Sequence, residues 1–129
     1  MNNCIGIINL DENEKKTAEL TRHRPLASLP IAGRYRVVDF ILSNMTNSGI
    51  EAIGIFTKNN SRSLMDHLTN GKPWDIYRKK DGLKVFNFSD EPPVHDDVHN
   101  FLDNIDYFDR SKKEYTLICS SYMICNIDY

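Results

Sequence analysis

Residues 30–50 constrain the fold more than any other part of this chain. Apolar side chains recur there at positions i, i+3, i+4 and i+7, which predicts an amphipathic helix from Arg36 onward. Gly49 stands where a left-handed helix C-terminus is expected. A β-branched and aromatic run follows and predicts a buried strand. Helix, glycine and strand form half of a βαβ unit, so the sequence predicts an α/β fold with a parallel sheet. The helix positions are Val38, Ile41, Leu42 and Met45, and the strand positions are Ile50, Ile53, Ile55 and Phe56.

The composition excludes two classes of partner. The chain has 129 residues, enough for one core, and a formal net charge of −2, which argues against nucleic-acid binding. No apolar run approaches the length of a membrane span, so no membrane partner is expected. The three cysteines, Cys4, Cys119 and Cys125, are an odd and sparse set. They predict reduced thiols and a cytoplasmic location.

Five further segments complete the predicted α/β pattern. Residues 4–10 predict the central first strand of a doubly wound sheet, and residues 84–88 and 115–119 predict later strands. Residues 61–68 predict a short helix with an apolar edge at Leu64, Met65 and Leu68. One continuous amphipathic helix is predicted near the end of the chain. Its apolar positions are Val98, Phe101, Leu102, Ile105 and Phe108.

The same residues 30–50 carry a family resemblance. Many identities at fixed spacing make the segment resemble the signature of ADP-glucose pyrophosphorylases, the glucose-1-phosphate adenylyltransferases. Periodicity requires neither Ser43-Asn44 nor Asn47-Ser48, so the match is more specific than a helix pattern alone. Two other segments, residues 61–68 and Asp128-Tyr129, are also similar to the family. The matching signature positions are Leu29, Pro30, Gly33, Arg34, Tyr35, Arg36, Asp39, Phe40, Leu42, Ser43, Asn44, Asn47, Ser48, Gly49 and Ile50.

The resemblance implies a fold and a domain organisation. It implies a three-layer, Rossmann-like nucleotide-diphospho-sugar transferase fold with a mostly parallel sheet. Residues 1–129 would be the N-terminal part of one nucleotidyltransferase-like domain. The rest of that domain, and a C-terminal left-handed β-helix domain, would lie outside this sequence, so the chain is expected to be a fragment.

The resemblance also identifies positions where the family's chemistry is missing. Members that catalyse the reaction have a glycine-rich phosphate loop and an arginine after the first strand. They have a lysine in the next loop and a metal-binding aspartate after the strand at residues 115–119. Glycines let backbone N–H groups approach phosphates closely, and carboxylates repel them. In this chain the glycine positions fall on Asp11, Glu12 and Glu14, the arginine on Lys16, the lysine on Leu26 and the aspartate on Tyr122.

These substitutions lead to one interpretation and leave two alternatives. The chain resembles a non-catalytic, regulatory-type subunit of bacterial glycogen biosynthesis that acts with a catalytic ADP-glucose pyrophosphorylase subunit in a hetero-oligomer. It would have no catalytic or metal-binding residues and no cofactor of its own, and Mg²⁺ would be used by the catalytic partner. The alternatives are an active glucose-1-phosphate adenylyltransferase and a module that senses a nucleotide or sugar phosphate. His67 is either a hydrogen-bonding residue on a helix face or a catalytic base, and the sequence favours the first.

Overall fold

The structure is a computed structural model that describes residues 2–10, 18–58, 61–68, 73–74, 82–88 and 97–129. The predicted phosphate-loop positions Asp11, Glu12, Glu14 and Lys16 lie outside the described residues. None of the described helices is long and apolar enough to cross a membrane. The strands are β1 (Cys4–Asn9), β2 (Pro30–Ile31), β3 (Tyr35–Arg36), β4 (Ala52–Lys58), β5 (Leu83–Phe88) and β6 (Tyr115–Ser120). The helices are α1 (Ala18–Thr21), α2 (Val37–Asn47), α3 (Arg62–Leu68), α4 (Asp97–Asp103) and α5 (Ile105–Ser111).

The main sheet has the strand order β5-β4-β1-β6, and all three of its strand pairs are parallel. In the register of β1, Gly6 lies beside Ile53 of β4 and beside Leu117 of β6. β1 is therefore an inner strand, as predicted. Because parallel strands need crossover connections, helices cover the faces of the sheet. The predicted α/β fold with a parallel sheet is confirmed.

Alternating side chains of the inner strands build one core on each face of the sheet. Ile8 of β1 and Ile55 of β4 point to the face covered by α2 and α3. Ile7 of β1 and Phe56 of β4 point to the opposite face, where Tyr107 of α5 packs. A strand that is buried on both faces reads as a continuous apolar run, and that is the pattern of both inner strands. Two cores around one sheet give the three-layer arrangement.

Helix α2 forms as the sequence predicts. Its four periodic apolar side chains are all buried, and the helix ends in a Schellman motif. Gly49 has a φ of 82°, its N–H donates to Thr46 O at 3.0 Å, and the N–H of Ile50 donates to Met45 O at 3.0 Å. Only glycine adopts this left-handed conformation without steric cost, so Gly49 allows the chain to turn directly into β4.

The predicted single helix near the chain end is wrong in two respects. A turn at Asn104 divides it into α4 and α5, and the N–H of Tyr107 donates to Asn104 O at 2.9 Å. The turn changes the helical phase, so Tyr107 is buried and Phe101 and Phe108 pack around the Phe56 ring. Three side chains of the predicted apolar stripe are exposed instead: Val98, Leu102 and Ile105. In α3, likewise, Leu64 and Leu68 are buried but Met65 is exposed.

Strand β6 is an edge of the described sheet and carries exposed apolar side chains. Tyr115 is 65% exposed and Ile118 is 55% exposed.

We expect the 129-residue polypeptide, made alone, to self-associate through this edge, since unpaired backbone groups of a strand and exposed apolar side chains promote association. In sedimentation velocity, Ile118→Lys should shift the polypeptide toward monomer. Leu20→Lys changes an equally exposed apolar residue of α1 and should leave the distribution unchanged. A monomeric unsubstituted polypeptide at high concentration would contradict the prediction.

Candidate functional site at the carboxyl edge of the sheet

The strand order reverses between β1 and β6, and we use the word crevice for the place where these two strands end, because open α/β sheets bind ligands at such a position. The chain runs from β1 to β4 and then β5 on one side, whereas β6 returns to the other side of β1. Such a reversal separates the connections that leave neighbouring strands, and ligands of open α/β sheets bind in the crevice that results. The two strands end side by side, with Asn9 opposite Ser120. The predicted phosphate-loop positions follow β1, and Tyr122 follows β6.

The described residues that end these two strands carry no charge. Leu10 and Ser121 are buried, and Tyr122 is 53% exposed. The buried Ser120 Oγ has no hydrogen-bond partner among the residues that the structure describes. Leu26, where the resemblance implies a lysine, is half-buried in the 3-10 turn Leu26–Ser28, so its side chain offers no cation. None of these described residues supplies a positive charge to a polyanion such as a nucleotide triphosphate.

The same donor set does not fit Mg²⁺. The ion prefers carboxylate oxygens and waters in octahedral geometry, and the position after β6 holds the phenol of Tyr122, which is neutral near pH 7. Among the described residues, no group of three or more His, Cys, Asp and Glu side chains could hold a metal ion. No step of a metal-assisted transfer follows from these residues.

Signature residues in α2 and at its C-terminal cap hold the segment that follows β6. Asn44 Nδ2 donates to Cys125 O at 2.8 Å, and the N–H of Tyr129 donates to Ser48 Oγ at 2.8 Å. Ser48 Oγ also donates to Asp128 Oδ1 at 3.2 Å. We call residues 121–129 the strap. The side chains of Asn44 and Ser48 are polar although both are buried. Buried polar groups need hydrogen-bond partners, and here the strap provides them.

The far end of the strap returns to β6. The Cys119 thiol lies 3.4 Å from the Tyr129 hydroxyl oxygen. Burial raises the pKa of Cys119, and the hydrogen bond to Tyr129 opposes that shift. Burial, together with the hydrogen bond from Cys119, raises the pKa of Tyr129 well above its usual range. Both side chains therefore stay protonated in the folded protein at a pH that ionises them in the unfolded chain.

These shifts predict a loss of stability at alkaline pH. A raised folded-state pKa means that the folded protein holds its proton while the unfolded chain releases it, so the free energy of unfolding is unaffected below the unfolded pKa and falls above it. The fall should begin near pH 9, where the Cys119 thiol ionises in the unfolded chain, and continue past pH 10 through Tyr129. Urea denaturation between pH 7 and 11 measures it. Tyr129→Phe should reduce the slope above pH 10, and an unchanged slope in that variant would contradict the assignment.

A second set of contacts ties the start of α2 to α3. Asp39 Oδ2 accepts from the backbone N–H of Arg36 at 2.8 Å, which caps the helix N-terminus. Asp39 Oδ1 lies 2.7 Å from His67 Nε2. The Arg36 guanidinium donates to Ser63 O at 3.0 Å and to Ser63 Oγ at 2.9 Å. His67 thus takes part in a structural hydrogen bond, in keeping with its interpretation as a helix-face residue.

The outer face of α2 borders two adjoining depressions that the sequence did not predict. A cleft of about 720 Å³ lies between α2 and Trp74, whose indole Nε1 donates to Ser43 Oγ at 3.2 Å. A groove of about 270 Å³ lies between α2 and the strap. The two share four lining residues: Tyr35, Asp39, Ser43 and Asn47. Sequence periodicity marks only the buried side of a helix, so it could not indicate what its polar side contacts.

The remaining signature residues lie around this face. Arg34, Tyr35 and Asn47 are exposed, and the first two belong to the short β2–β3 hairpin that leads into α2. Gly33, in the turn of that hairpin, has a φ of 74°. The signature therefore combines residues that hold the fold together, such as Asp39 and Asn44, with residues on one accessible surface.

A parallel sheet covered by helices on both faces, with a crevice where the strand order reverses, defines a Rossmann-like α/β protein. Within that class the chain belongs to the nucleotidyl transferase family, whose model matches residues 15–129. It is 46% identical to the Glycogen biosynthesis protein GlgD of Geobacillus stearothermophilus and 42% identical to that of Bacillus subtilis (strain 168). Each comparison covers 99% of this chain and 38% of the relative.

A third relative carries the name of an enzyme. The chain is 34% identical to the Glucose-1-phosphate adenylyltransferase of Clostridium novyi (strain NT), over 85% of this chain and 30% of that protein. The resemblance inferred from residues 30–50 is confirmed by these comparisons. The chain spans less than two fifths of the length of each of these three relatives.

Proposed function

We propose that this chain belongs to a non-catalytic, regulatory-type subunit of glucose-1-phosphate adenylyltransferase that acts in bacterial glycogen biosynthesis. Its partner would be a catalytic subunit in a hetero-oligomer. The observation that carries the proposal is the contrast between two regions. The framework of α2 is intact, whereas the described end of the β1–β6 crevice offers neither a cation nor a carboxylate. Identity is also higher to the two proteins named for glycogen biosynthesis than to the named adenylyltransferase.

The chemistry of nucleotidyl transfer supports this proposal. Catalysis at a phosphorus atom consists largely of positioning and of neutralising charge with metal ions and cationic side chains. Asp11, Glu12 and Glu14 stand where the resemblance implies phosphate-binding glycines. A carboxylate in contact with phosphate costs about 1 kcal/mol in water and more in a partly dry site. Lys16 keeps a positive charge but lacks the planar fork with which arginine binds phosphate.

Two other functions compete with this proposal. The identity to a named adenylyltransferase favours an active enzyme, which would convert ATP and glucose 1-phosphate into ADP-glucose and pyrophosphate. The cleft beside α2, which is lined by Arg34, His67 and Trp74, favours a module that senses a nucleotide or a sugar phosphate. Both remain compatible with membership of the nucleotidyl transferase family.

Reconstitution distinguishes the three functions. ADP-glucose formation is assayed in three samples: the purified full-length protein alone, a catalytic subunit alone, and the two proteins together. A change in the catalytic subunit's activity that requires both proteins supports the proposal. Turnover by the full-length protein alone supports the enzyme, and ligand binding without turnover or partner effect supports the sensor. An inert mixture in which the two proteins do not associate would contradict the proposal.

We expect no measurable ATP binding at the crevice. The acidic positions after β1 repel the triphosphate, and Leu26 provides no compensating charge. Isothermal titration calorimetry of the isolated polypeptide with ATP and Mg²⁺ tests this, with a catalytic subunit as the positive control. Micromolar, Mg²⁺-dependent binding that is lost in a Lys16→Ala variant would contradict the prediction.

A further inference from the structure

The strap has no regular secondary structure of its own to fix its position. Residues 121–129 form neither helix nor strand, yet they begin at the crevice and end against the core face of α2. A segment that lacks the regular backbone hydrogen bonds of a helix or sheet is held in place by individual contacts with neighbouring side chains. The position of Ser121 and Tyr122 at the crevice therefore depends on contacts made further along the strap.

Those contacts come from one side chain of α2 and from Ser48, the residue that directly follows the helix. Asn44 is 5% exposed and Ser48 is 8% exposed, and each binds a backbone group of the strap at 2.8 Å. Helix α2 is anchored by side chains that are completely buried, among them Leu42 and Met45. Close packing holds the helix in place, so a hydrogen bond to it restricts the position of the strap residue that forms the bond.

We infer that Asn44 and Ser48 are positioning residues that fix the strap and, through it, the crevice wall that follows β6. Asn44 holds the middle of the strap at Cys125 and Ser48 holds its end at Asp128 and Tyr129. The Tyr129 hydroxyl then covers Cys119 of β6. The inference concerns the shape of the crevice and does not depend on whether the crevice binds a nucleotide.

Three substitutions in the full-length protein test this role. Asn44→Leu keeps a side chain of similar size and adds no charge but removes the donor to Cys125 O. Ser48→Ala removes the acceptor for the N–H of Tyr129, whereas Ser48→Thr keeps a hydroxyl and is the matched control. The first readout is the rate of thiol alkylation, resolved by peptide mass spectrometry for Cys119, which the strap covers, and for Cys4, which is buried in β1.

The expected result is local. Asn44→Leu and Ser48→Ala should each accelerate alkylation of Cys119 at least about fivefold, since the first removes the hydrogen bond to Cys125 O and the second removes those to Tyr129 and Asp128. Hydrogen exchange at the amides of Ser121 and Tyr122 should accelerate by a similar factor. Cys4 and the amides of β1 should keep their unsubstituted rates, and Ser48→Thr should resemble the unsubstituted protein.

Three results would overturn the inference. Equal acceleration at Cys119 and Cys4 would show that the substitutions destabilise the whole fold instead of releasing the strap. Unchanged rates at Cys119, Ser121 and Tyr122 would show that the strap is held by other contacts. A Ser48→Thr variant that behaves like Ser48→Ala would show that the hydroxyl is not the group that holds it. None of these readouts measures activity, so their outcome is separate from that of the proposed function.

Discussion

Leu42→Ala is expected to lower the free energy of unfolding of the full-length protein by about 2–4 kcal/mol, because truncating a fully buried leucine leaves a cavity that its neighbours fill only partly. Leu42 is completely buried in the core between α2 and the sheet. Urea denaturation followed by circular dichroism measures the change. Val38 and Ile41 share this environment, and their alanine variants should fall in the same range.

Asn47→Ala is the matched control for Leu42→Ala. Asn47 lies on the exposed side of the same helix, and its substitution should change the free energy of unfolding by less than about 0.5 kcal/mol. Under the proposed function, Leu42→Ala should also impair folding or assembly with a catalytic subunit, measured by co-purification. A loss below 1 kcal/mol for Leu42→Ala would mean that α2 is not the central packing element that its burial indicates.

Restoring two of the missing chemical groups is expected to give no enzymatic activity. In the full-length protein, Tyr122→Asp with Lys16→Arg would return a carboxylate and a guanidinium to the positions where the resemblance implies them. Leu26 and the carboxylates of Asp11, Glu12 and Glu14 would remain, so the triphosphate would still meet repulsion and lack one cation. Enzymatic rate enhancements are commonly a million-fold or more, so even partial success would be detected.

The assay for this variant is ADP-glucose formation without any catalytic subunit. A catalytic subunit assayed in parallel shows that the conditions support turnover, and the two single variants show whether either substitution acts alone. If Tyr122→Asp with Lys16→Arg forms ADP-glucose at a rate typical of enzymes, the crevice is nearly intact. The proposal of a non-catalytic subunit would then fail.

Periodicity predicted the parts of the fold that local sequence determines. The buried face of α2 follows from the spacing of Val38, Ile41, Leu42 and Met45, and its end follows from the need for a left-handed residue at Gly49. The inner strands were predictable because burial on both faces requires a continuous apolar run. The inner position of β1 in the sheet was predicted from the doubly wound pattern.

Long-range contacts were beyond the same reasoning. The turn at Asn104 shifts the helical phase by packing Tyr107 against the sheet, and a single-period analysis of α4 and α5 could not detect it. The partners of Asn44 and Ser48 lie about 80 residues away along the chain. The cleft beside Trp74 depends on two segments that meet only in the folded protein. The catalytic positions of the family, by contrast, were placed by resemblance and not by physical pattern.

The pairing of β1 with β6 has a consequence for the order in which the chain folds. The register of the two strands begins with Cys4 beside Tyr115. Just before that pair, the side chains of Asn3 and Glu114, which are 111 positions apart, form a hydrogen bond. Closing so long a loop costs more entropy than pairing β1 with β4, so contacts of β1, α2 and β4 should form before β6 docks. During synthesis, β1 would leave the ribosome long before β6 does, with one of its edges unpaired. Substitutions in α2 should therefore slow folding, whereas substitutions in β6 and the strap should mainly accelerate unfolding.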